Sequence, residues 1–280
     1  MKSFETEAGA LAYVDEGSGI PVVLIHGIPT SSWMYRKVTA QLVDRGYRVI
    51  SPDLLGMGAS GRTEDEEQLT VAAQSRYLMD LLVGELGLEN WIHVVHDFGG
   101  PITWEMMEDD RFKIRRLVLL NTFAYERGWS PDLNAITKTA MKLGTMEPFN
   151  QTFYEIAISS MVTNTGMATD NMLRGYCRPL VEGADFAYKC LYFSANEMKA
   201  DLPRYQRTLE RYRGRDVHLL WGEDDEFLSS DDQVDQLVEL LQIDAEHRTI
   251  LPGVHHLVPE EAPEAVVEAI TRIGVSNSPK

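Results

Sequence analysis

The feature that most constrains the fold is an alternation along the chain. Short apolar runs are each followed by a stretch with helical spacing. Pro21–Ile25, Tyr47–Ile50, Trp91–Val95, Leu117–Leu120, Val217–Trp221 and Arg248–Leu251 read as strands. Trp33–Leu42, Thr70–Leu86, Gly100–Met107, Val234–Leu241 and Pro263–Ile273 read as helices. Leu11–Val14 reads as a short leading strand. Uninterrupted apolar runs of this kind suit strands buried on both faces of a parallel sheet. Strand–helix alternation therefore predicts an α/β fold with a doubly wound, mostly parallel sheet. Right-handed crossovers would then bring the loops carrying Asp97, Asp225 and His256 to one rim. Between Thr122 and Arg213 the alternation stops and only helical patterns remain. The expected organisation is a core of residues 1–121 and 214–280, with an all-helical cap inserted as residues 122–213.

A chain of 280 residues with 44% hydrophobic content can bury one large core. Its 26 basic and 43 acidic residues give a net charge of -17, which disfavours nucleic acid and anionic membranes as partners. Met1-Lys2-Ser3-Phe4-Glu5 has no apolar signal core, and no apolar stretch reaches bilayer length. A cytoplasmic protein is expected. Cys177 and Cys190 read as reduced thiols in that compartment. His93, His96, His218 and His247 show no ligand spacing, so no metal site is expected.

Val95-His96-Asp97-Phe98-Gly99-Gly100 ends one apolar run and starts a helix. The pattern suits a strand, a sharp turn and a landing of small residues, with Asp97 at the tip. A carboxylate there suggests attack on a carbon that bears a leaving group or belongs to a strained ring. By itself an aspartate before a helix can equally be an N-cap. Downstream lie Trp221-Gly222-Glu223-Asp224-Asp225 and His255-His256. Imidazole suits activation of water because its pKa lies near working pH.

Further segments join this set. They are His26-Gly27-Ile28-Pro29, then Thr30-Ser31-Ser32 with Arg36 following, and Asp53-Leu54-Leu55-Gly56-Met57-Gly58-Ala59-Ser60. The last is Leu257-Val258-Pro259-Glu260-Glu261-Ala262-Pro263, after the histidine pair. Together they resemble the α/β-hydrolase superfamily, in its aspartate-nucleophile branch of haloalkane dehalogenases and epoxide hydrolases. Serine members build the turn as Gly-x-Ser-x-Gly, which this chain lacks. The resemblance implies that Asp97 forms a covalent ester and that His256, second of its pair, activates the water that hydrolyses it. Asp225 would orient His256, with Asp224 as its competitor. Asn121 stands where some relatives keep this acid, while Asp231 and Asp232 read as caps of the next helix. The backbone N–H groups of Ile28 and Phe98 would form the oxyanion hole. His26 would tie loops together, and Gly56 and Gly58 would serve as turn residues. No cofactor or metal is implied.

The same likeness bears on substrate. Dehalogenases hold the departing halide with side-chain N–H donors beside the nucleophile, in the oxyanion motif or in the cap. Here those positions read Phe98 and Ile28, and the cap has one tryptophan, Trp129. Epoxide hydrolases instead present cap phenols. The cap carries Tyr125, Tyr154, Tyr176, Tyr188, Tyr192, Tyr205 and Tyr212. Tyr154 and Tyr192 lie nearest the family's offsets, although Phe193 stands where a tyrosine is usual. Each also has a simple reading as cap packing. Met141, Met146, Phe149, Phe153 and Met161 suit an apolar cavity or the cap's own core. The expectation is an epoxide hydrolase acting with water on a small apolar organic substrate to give a vicinal diol. Haloalkane dehalogenation and non-catalytic binding of a small ligand are the alternatives.

Overall fold

The computed structural model describes residues 1–128, 151–162 and 169–272, without the side chains of 192–197. Eight strands form one sheet: β1 (Lys2–Thr6), β2 (Gly9–Gly17), β3 (Ile20–Ile25), β4 (Tyr47–Pro52), β5 (Trp91–Asp97), β6 (Ile114–Thr122), β7 (Val217–Gly222) and β8 (Arg248–Leu251). Their order is β1-β2-β4-β3-β5-β6-β7-β8. β2 pairs antiparallel with β1 and β4, and every other pairing is parallel. The sequence gives no sign of β1. Lys2–Thr6 is an edge strand with no fully buried residue, so it carries no apolar run.

All seven residues of β5 are buried, as expected for a strand between two parallel neighbours covered on both faces. Val22–Ile25 and Leu117–Leu120 flank it, also buried. Each such aliphatic side chain contributes about 1.5–3 kcal/mol through loss of contact with water.

Helices cover the sheet. α1 (Arg36–Asp44) follows a short 3-10 turn at Ser32–Tyr35. α2 (Val71–Met79) is capped by Thr70, whose hydroxyl accepts from Ala73 N at 3.2 Å. A π-helical turn over Asp80–Glu85 then completes the long helix expected over Thr70–Leu86. α3 (Gly99–Met106) leaves the tip of β5. Between β6 and β7 the described residues form α4 (Gln151–Ser160), α5 (Asp170–Pro179), α6 (Asp185–Met198) and α7 (Leu202–Glu210), with no strand among them. α8 (Ser230–Leu241), α9 (Val258–Glu261) and α10 (Pro263–Thr271) complete the described α-helices. Among them none is long and apolar enough to cross a membrane. Cys177 and Cys190 are free thiols.

This topology positions the site. β3, β5, β7 and β8 run parallel, so the loops leaving their carboxyl ends share one edge. Those loops carry Ile28, Asp97, Asp225 and His256.

Candidate active site

Asp97 closes β5 with φ of +51°, a left-handed conformation that costs a non-glycine residue of order 1 kcal/mol. Its surroundings explain the small residues nearby. A Cβ on Gly99 would lie 2.8 Å from the Ile25 carbonyl oxygen, and one on Gly100 would overlap Thr122 Oγ1. A Cβ on Gly27 would overlap Asp97 Oδ1 itself. Thr122 Oγ1 donates to the Asp97 carbonyl at 2.7 Å, pinning the turn to β6. The N-cap alternative does not hold. Phe98 occupies the N-cap position of α3, and the helix has no side-chain cap bond. Asp97 Oδ1 instead accepts from Ile28 N at 2.8 Å, and Phe98 N also donates to this carboxylate.

The structure brings Asp97, Asp225 and His256 together. His256 Nδ1 lies 2.8 Å from Asp225 Oδ2, and its Nε2 lies 3.6 Å from Asp97 Oδ2. A carboxylate only accepts, so Nδ1 carries the hydrogen and Nε2 faces Asp97. His255 contributes its backbone elsewhere, donating from N to Glu261 Oε1 at 2.9 Å. Asp225 is buried, whereas its competitor Asp224 is exposed. Asp225 Oδ1 accepts from Phe227 N at 2.8 Å and Leu228 N at 3.1 Å.

One residue was not foreseen in this role. Asn121 Nδ2 donates to Asp225 Oδ2 at 2.6 Å, while its Oδ1 accepts from Gly222 N at 2.9 Å. It is fully buried, at φ +30°. The available signal was an uncharged polar residue directly after the apolar run Leu117–Leu120.

Burial and charge act in opposition here. Burial raises the Asp97 pKa above the ordinary carboxylate value, against the pull of His256 and of the Phe98 and Ile28 N–H groups. Burial would also raise Asp225, but His256 and Asn121 outweigh it and hold that pKa down. Burial would lower His256, yet Asp225 and then Asp97 leave it raised. The geometry thus offers a desolvated carboxylate at a strand tip, an imidazole facing it, an ionised acid behind the imidazole, and two N–H donors on that carboxylate. That set can form an ester and then hydrolyse it.

The remaining expected residues are placed as follows. His26 does tie loops: its Nε2 accepts from Leu54 N at 3.0 Å, and its Nδ1 lies 2.7 Å from the Gly27 carbonyl oxygen. Gly56 and Gly58 have φ of +83° and +51°. Asp231 and Asp232 are not caps; they lie in the first turn of α8 behind Ser229. Negative charge is favourable there through the helix dipole. Tyr154 is buried in α4, its ring edge-on to Phe153 and Tyr188 at 5.5 and 6.2 Å. Tyr176 hydroxyl donates to Glu260 Oε2 at 3.2 Å. Trp129, Met141, Met146, Phe149 and the Tyr192 side chain lie outside the described residues. Among the described residues one cluster could hold a cation, Asp244, Glu246 and His247, on the turn before β8.

Known proteins share this arrangement of elements. The family described as alpha/beta hydrolase fold matches residues 20–263. Haloalkane dehalogenase 2 of Mycobacterium bovis is 35% identical over 125 residues, 43% of this chain, and the match spans 41% of that relative's length. A cis-3-alkyl-4-alkyloxetan-2-one decarboxylase of Xanthomonas campestris is 36% identical over 124 residues, 41% of each chain. Among solved structures, an alpha/beta hydrolase fold protein from Burkholderia ambifaria superposes with a TM-score of 0.77 at 26% identity, covering 96% of both chains. The match to residues 20–263 takes in β3 to β8, the tip at Asp97 and the loops of Asp225 and His256, and by it the chain belongs to the α/β-hydrolase fold family.

Proposed function

We propose that this hydrolase acts through a covalent ester on Asp97, and that its substrate is an epoxide opened to a vicinal diol. The observation that carries the reading is the Asp97 carboxylate, buried at the strand tip, bonded to Ile28 N and facing His256 Nε2 at 3.6 Å. An Asp97 oxygen attacks a ring carbon, the carbon–oxygen bond of the epoxide breaks, and the departing oxygen takes a proton from a phenol. Tyr154 and Tyr192 are the proposed phenols. Water then loses a proton to His256 and attacks the ester carbonyl carbon. The developing oxyanion is held by Ile28 and Phe98 N–H groups, and Asp225 stabilises the imidazolium. Collapse of this intermediate expels the alkoxide, which takes the proton of the newly added hydroxyl to give the diol and leaves Asp97 as a carboxylate; the imidazolium proton then returns to the phenolate.

Two features favour a small apolar epoxide. Phe98 and Phe123 meet edge-on at 5.3 Å, and Phe227 meets the His256 ring at 5.4 Å, so the reacting groups have aromatic neighbours. Phe98 and Ile28 side chains carry no N–H for a departing halide. The segment 122–213, whose described residues beyond β6 form α4 to α7 and their connecting turns, is proposed as the cap over this site. Haloalkane dehalogenation is the second reading, favoured by the 35% identity to a dehalogenase over 125 residues.

The test uses His256→Gln, incubated separately with styrene oxide and 1,2-dibromoethane, followed by intact-mass measurement. Without its base the protein should gain the mass of the epoxide, mapped to Asp97. A gain from the dibromide with bromide release would instead establish the dehalogenase reading. No adduct from either, on folded protein, would leave a ligand-binding role.

A further inference from the structure

His256 can face Asp97 only while the chain that carries it is held. The peptide joining His256 to Leu257 is bonded on both sides. Its carbonyl lies 2.8 Å from His96 Nε2 and also accepts from Val258 N at 2.9 Å. Its N–H, on Leu257, donates to the Met161 carbonyl just past α4 at 3.0 Å. A carbonyl only accepts, so His96 carries its hydrogen on Nε2. His96 Nδ1 is then a bare acceptor, buried with no partner among the described residues. A space-filling residue at this place in β5 would need neither nitrogen, and Val94 and Val95 before it have none. The His96 ring is wholly buried, 4.6 Å from the His256 ring. Burial first, and then the charge on His256, push its pKa down to about 3. It therefore stays neutral and sets no second cation beside the imidazolium.

We propose that His96 is a positioning residue for the ester-hydrolysing half of the reaction, holding the His256 carbonyl so that Nε2 is aimed at the attacking water. This rests on the reading of Asp97 and His256 given under Proposed function. Ester formation needs Asp97, the substrate and the proposed phenols but not the His256 base, so loss of the His96 donor should spare it.

The test compares His96→Phe, which keeps a ring but no donor, with His96→Gln, which restores an N–H donor. Single turnovers of styrene oxide are quenched and followed by intact mass. In His96→Phe the ester should form within about 3-fold of the wild-type rate and disappear at least about 10-fold more slowly, so that it accumulates. His96→Gln should regain hydrolysis to within about 3-fold of wild type. A parallel fall of both half-reactions, unchanged hydrolysis in His96→Phe, or no rescue by glutamine would overturn the proposal. A substrate-free readout separates this failure from that of the hydrolase reading. The downfield proton resonance of His256 Nδ1–H against Asp225 should vanish in His96→Phe and persist in His96→Gln. Its persistence in both would refute the role of His96 even if no adduct ever forms on Asp97.

Discussion

Asn121→Ala should cost this protein a large share of its stability. The side chain is fully buried and makes two bonds that alanine cannot. The first runs from Nδ2 to Asp225 Oδ2 at 2.6 Å. Bonds to a charged partner contribute about 1.5–3 kcal/mol. The second is accepted by Oδ1 from Gly222 N at 2.9 Å, and losing it orphans a buried donor at about 1–3 kcal/mol. The φ of +30° suits asparagine better than alanine, by of order 1 kcal/mol. The sum is about 3.5–7 kcal/mol, set against the 5–15 kcal/mol of a typical domain. Urea-induced unfolding of both proteins at neutral pH, followed by circular dichroism, measures the difference. Because Asn121 also helps to hold the Asp225 pKa down, the variant's ester hydrolysis should slow by about tenfold, the equivalent of one such bond. A destabilisation below about 1 kcal/mol with unchanged turnover would refute this reasoning. It would mean that the Phe227 and Leu228 N–H groups suffice to hold Asp225.

Other outcomes follow from the same geometry. In the wild type, ester hydrolysis should be lost as pH falls through the raised His256 pKa; Asp225→Asn should move that acid limb to lower pH and reduce the plateau rate about 10³–10⁴-fold, measured as a pH–rate profile. His93 and His96 both have pKa values pushed down to about 3 by burial, so stability is complete above the unfolded value near 6.5 and is lost as pH falls towards 3. Between pH 6.5 and 5 the pair should cost about 3 kcal/mol, and His93→Gln should halve that slope in urea titrations at several pH values. Gly100→Ala drives a Cβ into Thr122 Oγ1 and should disturb the Asp97 turn; adding Thr122→Ala should recover part of the lost melting temperature, and strictly additive losses would contradict the contact.

The central strands were readable because burial on both faces leaves an uninterrupted apolar run, as in Trp91–Val95. β1 was not, because Lys2–Thr6 lies at an exposed edge and is specified by its pairing with β2. Asp97, Asp225 and His256 were legible through the segments around them, which the fold brings to one rim. Asn121 was legible only as the residue that stands where some relatives keep the acid; its bond to Asp225 arises because β6 lies beside β7. Capping was misread at Asp231 and Asp232, since a cap depends on the local turn and not on residue type alone. The tyrosines between β6 and β7 share a helical pattern, and periodicity does not say which hydroxyl faces a substrate.

The central claim is that the oxygen delivered to substrate comes from Asp97 and that water replaces it afterwards. The most direct test is a single turnover in ¹⁸O water, with enzyme in excess over styrene oxide, followed by mass analysis of product and of the peptide holding Asp97. The account predicts an unlabelled diol and ¹⁸O in the Asp97 carboxylate. Label in the first-turnover diol with Asp97 unlabelled would mean direct attack by water and would contradict it.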